Sequence, residues 1–226
     1  MKLSTLTLSL SAILLAPAAF AGVLQLEDSA SQVCAGTFGG NCKTISKGGK
    51  LVVEGRTTNL VTVAAGLRSK AGLFPVYVGE LLVNDNKKYV CDKSKAFSSL
   101  KDLSAIAVRL QFARSIGMDD LKKAFNDGFD NNDVNVSDPS IVKFLAGVTA
   151  GGDIPDASVL EFSGEKLVDG SEAVTYVAAH GKVNTVVGPA GSNLIKNIFG
   201  LWLGNPGSDG GLKHLNENFT TCQIAK

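Results

Sequence analysis

The stretch Ser104-Ala-Ile-Ala-Val-Arg-Leu-Gln-Phe-Ala-Arg114 decides the fold class. Ile106, Val108, Leu110 and Phe112 alternate with Ala105, Ala107, Arg109, Gln111 and Ala113. A strict period of two sorts side chains onto two faces only when the backbone is extended, so residues 104–114 read as a β-strand. One face is bulky and apolar. The other is small or polar, and lies either under a helix or beside solvent.

Upstream, residues 51–54, 60–67 and 73–83 are rich in Val, Leu and aromatics with Gly and Asn between them, as strands and turns require. Residues 88–91 form another short strand candidate. Downstream the period changes. Leu121, Ala124, Phe125, Gly128 and Phe129 make one stripe of an amphipathic helix over 118–131, with Lys122, Lys123 and Asp127 elsewhere. Asp138-Pro139 combines an N-cap with proline at the first helical position, and Gly151-Gly152 closes that helix. Strands return at 158–162, 173–178 and 182–187, with His180-Gly181 as a hairpin turn. A helix apolar almost all round follows at 192–203; Gly204-Asn-Pro-Gly207 stops it before a last short helix at 209–217. Strands first, then helices, then both again predict an antiparallel α+β domain over 51–226. Residues 22–50, small, polar and glycine-rich, read as a loosely structured lead-in.

The chain opens like an export signal. Met1-Lys2 is a short basic start, 3–15 an apolar core diluted by Ser and Thr, and Ala19-Phe20-Ala21 a small-x-small cleavage pattern. The core is too short to span a bilayer comfortably, and no later segment is long and apolar enough to cross one. A signal peptide over 1–21, cut after Ala21, predicts a periplasmic or secreted protein. Losing Lys2 brings the 22 basic residues level with the 21 acidic ones. Without basic runs or a basic face, nucleic acid is not an expected partner.

Four cysteines in an oxidising compartment favour disulfides, with three possible pairings. Cys34 and Cys42 bracket a glycine-rich loop that folds back easily, so they pair, leaving Cys91 with Cys222. On the chain-entropy model the long-range bridge contributes about 5 kcal/mol and the short one about 2.6 kcal/mol. No metal site is expected: there is no C-x-x-C, and His180 and His214 stand in unrelated contexts. Asp127, Asp130, Asp133 and Asp138 fail the calcium-loop template, because Val134 stands at a ligand position and Asn135 where glycine belongs. No nucleophile elbow, zinc-protease helix or phosphate loop is present.

Several segments together resemble the chalcone isomerase-like family, especially its exported bacterial branch. They are Gly66-Leu-Arg-Ser-Lys70, Val76-Tyr-Val-Gly79, Val108-Arg-Leu-Gln-Phe-Ala-Arg114, Leu121-Lys-Lys-Ala-Phe-Asn-Asp-Gly-Phe129, Ser192 through Pro206, and Leu212-Lys213. The resemblance runs over roughly 60–216. It implies an open-faced β-sandwich: a large antiparallel sheet covered on one face by helices, with an apolar ligand in the cleft between. Catalytic members cyclise a chalcone using an arginine, a threonine, a tyrosine, an asparagine and a further hydroxyl. The arginine falls on Arg68. The threonine position falls on Tyr77, as in the fatty-acid-binding members. The other three fall near Leu121, Gly128 and Leu201, which offer no side-chain hydrogen bond.

The resemblance thus implies no catalytic set and no cofactor, with Arg68, Tyr77, Phe112, Leu121, Phe125 and Leu201 as ligand-binding residues. A monomeric periplasmic binder of an apolar carboxylate is the first expectation. A fatty acid leads, with a porphyrin or polyphenol second, and His180 or His214 as candidate iron ligands for the porphyrin. An isomerase or lyase acting on a small phenolic, and a structural or partner-binding envelope protein with a collapsed cleft, are the alternatives. For Arg68 the competing role is structural, bonded to backbone carbonyls or to Glu80 or Glu54. For Phe112, Phe125, Phe129 and Trp202, packing in the core stands beside lining the cleft.

Overall fold

The computed structural model describes residues 22–35, 41–70 and 73–225; the expected signal peptide and its cleavage site lie outside them. The alternating stretch is strand β7 (Ala105–Phe112), inside an eight-stranded, wholly antiparallel sheet. The sheet runs β1 (Val23–Leu26), β4 (Gly48–Val53), β5 (Arg56–Lys70), β6 (Phe74–Val83), β7, β8 (Val159–Lys166), β9 (Glu172–Val177), β10 (Val183–Gly188). Strands β2 (Ser29–Ala35) and β3 (Asn41–Ser46) pair separately. The helices are α1 (Ala96–Ser99), α2 (Met118–Asn131), α3 (Pro139–Ala150), α4 (Leu194–Leu203) and α5 (Gly210–Thr220).

Register carries the apolar face of β7 to its neighbours. Phe112 stands opposite Tyr77, Val108 opposite Leu81 and Phe162, and Leu110 opposite Leu160. Directly opposed residues share a face, so these side chains form one apolar surface. It is buried beneath the helices together with Phe129, Phe144, Phe199, Trp202 and Phe219. Glycine lets the helices settle this closely. A methyl group at Gly79 would meet Phe219 and Leu215 of α5, and one at Gly164 would come within 2.9 Å of Phe199 in α4.

The small, polar face of β7 lies neither under a helix nor open to solvent, Arg109 alone being partly exposed. The amino-terminal strands fold over it. Ala105 and Ala107 pack with Leu24, Leu51, Val53, Leu60 and Leu82. Fully buried Glu80 accepts from Arg109 Nη1 (2.7 Å), Gln111 Nε2 (2.7 Å) and the Ser46 amide (3.1 Å) and hydroxyl (2.9 Å). Gln111 also donates to the Thr44 carbonyl at 2.8 Å. The sheet curls so far that the Gly22 amide, just before β1, donates to Thr175 of β9 at 3.0 Å.

The described part of residues 22–50 is therefore not a loose lead-in: it carries β1 to β3 and the first half of β4. Their small residues serve close packing, since a methyl group at Gly48 would come within 2.4 Å of the Leu60 carbonyl oxygen. Residues 88–91 are not a strand either. They belong to a loop held by the Tyr89 hydroxyl, which donates to the Phe219 carbonyl at 3.0 Å, and by Cys91. Both expected disulfides form. Cys34 and Cys42 face one another across β2 and β3, and Cys91 joins Cys222 beyond α5. Asp138 caps α3 as predicted, accepting from the Ser140 and Ile141 amides. Among the described residues no helix is long and apolar enough to cross a membrane.

Candidate ligand-binding site

Strand register assembles the site. Arg68 of β5 is the Cα partner of Tyr77 of β6, which is in turn the partner of Phe112 of β7. The three side chains therefore stand in a row on the helix-covered face. The Arg68 guanidinium carbon lies 5.6 Å from the Tyr77 ring centroid, and the Tyr77 and Phe112 centroids are 5.3 Å apart. Beside this row a cavity of about 800 Å³ opens between the sheet and helices α2 and α4, reaching the start of α5. Its size is that of a small-molecule site, commonly about 300–1,000 Å³. Leu110, Phe112 and Leu160 line its sheet side; Leu121 and Phe125 of α2 and Leu201 and Trp202 of α4 line its helix side.

All six sequence-predicted residues, Arg68, Tyr77, Phe112, Leu121, Phe125 and Leu201, thus border one cavity. Phe112, Phe125 and Trp202 serve both roles, buried in the core with an edge towards the cavity, whereas Phe129 is core without bordering it. The helix side carries no hydrogen-bonding group at the family's three polar positions. A Cβ atom at Gly128 would lie 2.6 Å from Leu201 Cδ2, so the glycine and the leucine fit each other. The cleft is open, not collapsed. Neither His180 nor His214 borders it, and among the described residues no His, Cys, Asp and Glu cluster could hold a metal ion.

The polar end holds one arrangement the sequence did not disclose. Arg68 Nη2 donates to Asp209 Oδ2 at 2.5 Å, and Asp209 Oδ1 accepts the Leu212 amide at 2.8 Å as the N-cap of α5. Glu80 and Glu54 are not the partners. Glu80 is an odd number of positions from Tyr77 along β6, so pleating sends it to the opposite face. Glu54 sits in the β4–β5 turn, at the far end of β5 from Arg68. Asp209 lies 141 residues from Arg68 along the chain, and its only local signal was the start of a helix.

Ionisation follows from this geometry. Burial opposes the charge on Arg68, but Tyr77 and the Asp209 carboxylate outweigh it and hold the guanidinium above its ordinary value. Burial pushes the Tyr77 phenol up, against the lowering effects of Arg68 and of the neighbouring Trp202 indole. With its ionisation pushed up, the phenol keeps its proton and can donate it. Burial would also raise Asp209, but the Leu212 amide and the Arg68 guanidinium bring its carboxyl below the usual range.

The family model for chalcone isomerase-like proteins matches residues 48–215, three quarters of the chain, and takes in the strands and helices that border the cavity as far as the first half of α5. This chain belongs to the chalcone isomerase-like family. Among solved structures it is similar to a fatty-acid binding protein of Arabidopsis thaliana. The two share 16% identity over 85% of this chain and 98% of that one, with a TM-score of 0.51. At that identity the likeness is one of fold: the curled sheet with helices on one face is the chalcone isomerase-like architecture. No curated protein matches the chain by sequence.

Proposed function

We propose that this chalcone isomerase-like protein is an exported, non-catalytic carrier of an apolar ligand with a carboxylate head, a long-chain fatty acid in the first instance. One observation carries the reading: Arg68 and Tyr77 stand together in a cavity that they share with the apolar side chains of Leu110, Phe112, Leu121, Phe125, Leu160 and Leu201. A guanidinium and a phenol that keeps its proton are a donor set for a carboxylate, while Leu110, Leu121, Phe125, Leu160 and Leu201 suit a hydrocarbon tail. Cyclising a chalcone would call for positioned donors around the reacting carbons. Leu121, Gly128 and Leu201 supply none. The fatty-acid binding protein of similar fold supports the ligand class, and the two disulfides support an oxidising, extracytoplasmic address.

Titration calorimetry with palmitate tests the reading. Losing charge-assisted hydrogen bonds costs about 2 kcal/mol, so Arg68→Ala weakens palmitate about thirtyfold; Tyr77→Phe removes one donor and costs about five- to tenfold. Each methylene withdrawn from the tail costs about 0.8 kcal/mol, so shortening the chain by two carbons weakens binding more than tenfold. Equal affinities for wild type and Arg68→Ala, or no dependence on chain length, overturn the proposal. Turnover of a chalcone above the buffer rate, lost in Arg68→Ala, would establish an isomerase instead.

A further inference from the structure

Asp209 is not a bystander to this site. We infer that Asp209 is its specificity-determining residue, a resident carboxylate that occupies Arg68 in the empty cavity and must be displaced by the carboxylate of a ligand. The inference rests on the binding reading above and deepens it. Arg68 and Asp209 border the same cavity, and the pair closes at 2.5 Å with both side chains partly shielded from water, 21% and 37% exposed. Among the described residues, the other cations that line the cavity are Lys70, Arg114 and Lys123. Lys70 and Arg114 are exposed to solvent, and Lys123 pairs with Asp127 on the α2 surface at 2.6 Å. A ligand carboxylate arriving at Arg68 would place two anions against one guanidinium in a half-shielded space, where like charges repel more strongly than in water.

The carboxylate is built to let go at one end. Oδ1 stays on the Leu212 amide, and the α5 backbone is fixed because Gly211 packs directly on the Ser69 backbone. Oδ2 takes the Arg68 hydrogen bond. A neutral head group, such as an ester, can instead accept the Tyr77 proton without disturbing the ion pair. Wild type therefore discriminates weakly between a fatty acid and its ester, and removing the Asp209 charge turns the site into a carboxylate-selective one.

Asp209→Asn tests this cleanly, because asparagine caps a helix as well as aspartate does. Laurate and methyl laurate are titrated into wild type, Asp209→Asn, Asp209→Ser and Arg68→Ala, with thermal unfolding as the check on folding. The serine variant keeps a capping oxygen and gives a second charge-free form. Both charge-free variants should bind laurate about tenfold more tightly than wild type, and methyl laurate within about twofold of it. Unchanged or weaker laurate binding in both, with Arg68→Ala still impaired, overturns the role of Asp209 and leaves the carrier reading standing. Failure of both probes to bind any folded form removes the carrier reading, and this inference with it.

Discussion

Glu80→Gln is the sharpest perturbation of the fold that leaves the cavity alone. Glu80 is fully buried on the face of β6 opposite Tyr77, and four donors converge on it from Arg109, Gln111 and Ser46. Glutamine keeps the volume and one acceptor. Its amide nitrogen, however, meets a donor whichever way it turns, either Arg109 and Gln111 or the Ser46 amide. Arg109 is then left with Glu161, whose Oε1 is 3.7 Å from its Nε. Breaking one side of a buried ion pair costs about 3–5 kcal/mol. The remaining Glu161 and the slight exposure of Arg109 place this case at the lower end, about 3 kcal/mol. In a chain of this size that lowers Tm by about 6–12 °C. Urea unfolding followed through the single, buried Trp202 measures the loss, and a cycle with Arg109→Gln isolates the pair. Palmitate affinity should not change. A Tm loss below about 2 °C, or a coupling energy near zero, would refute the assignment of Glu80 as the hub of the polar layer.

Two further outcomes follow from the same structure. Replacing Cys91 and Cys222 by serine opens a loop with a sequence separation of 131 and should cost about 5 kcal/mol, roughly twice the loss from removing Cys34–Cys42; equal losses would contradict the chain-entropy account. Burial raises the Glu161 carboxyl, with Arg109 opposing and Glu80 reinforcing. The folded state then binds that proton more tightly than the unfolded state, so this group's contribution falls as pH rises from the ordinary carboxylate value through the raised one. Glu161→Gln should flatten that limb of the stability–pH curve, and an unchanged slope would count against it.

The β7 stretch, the α2 stripe and the Asp138 cap were legible because each is a local pattern: a period, a stripe, a capping side chain beside its own amides. Arg68 and Tyr77 were legible through the family's short motifs, and the structure makes them cross-strand partners. The strands within residues 22–50 escaped the sequence for the opposite reason. Strands β1 to β4 are short, and this segment is held by partners elsewhere, such as Thr175 for Gly22 and Glu80 for Ser46. Nothing in their own composition announces those partners.

The sequence by itself determined the α+β class, the cysteine pairing suggested by the loop between Cys34 and Cys42, and the lack of hydrogen-bonding groups at Leu121, Gly128 and Leu201. These depend on periodicity, loop length and residue chemistry, which neighbours along the chain are enough to express. Only the tertiary structure decided that the polar face of β7 is buried, that the cavity is open, and that Arg68 is held by Asp209 and not by Glu80 or Glu54. Those outcomes depend on which face meets which element. Sheet curl, strand register and the seating of α5 on Ser69 and Gly79 set that through contacts between residues far apart in the chain.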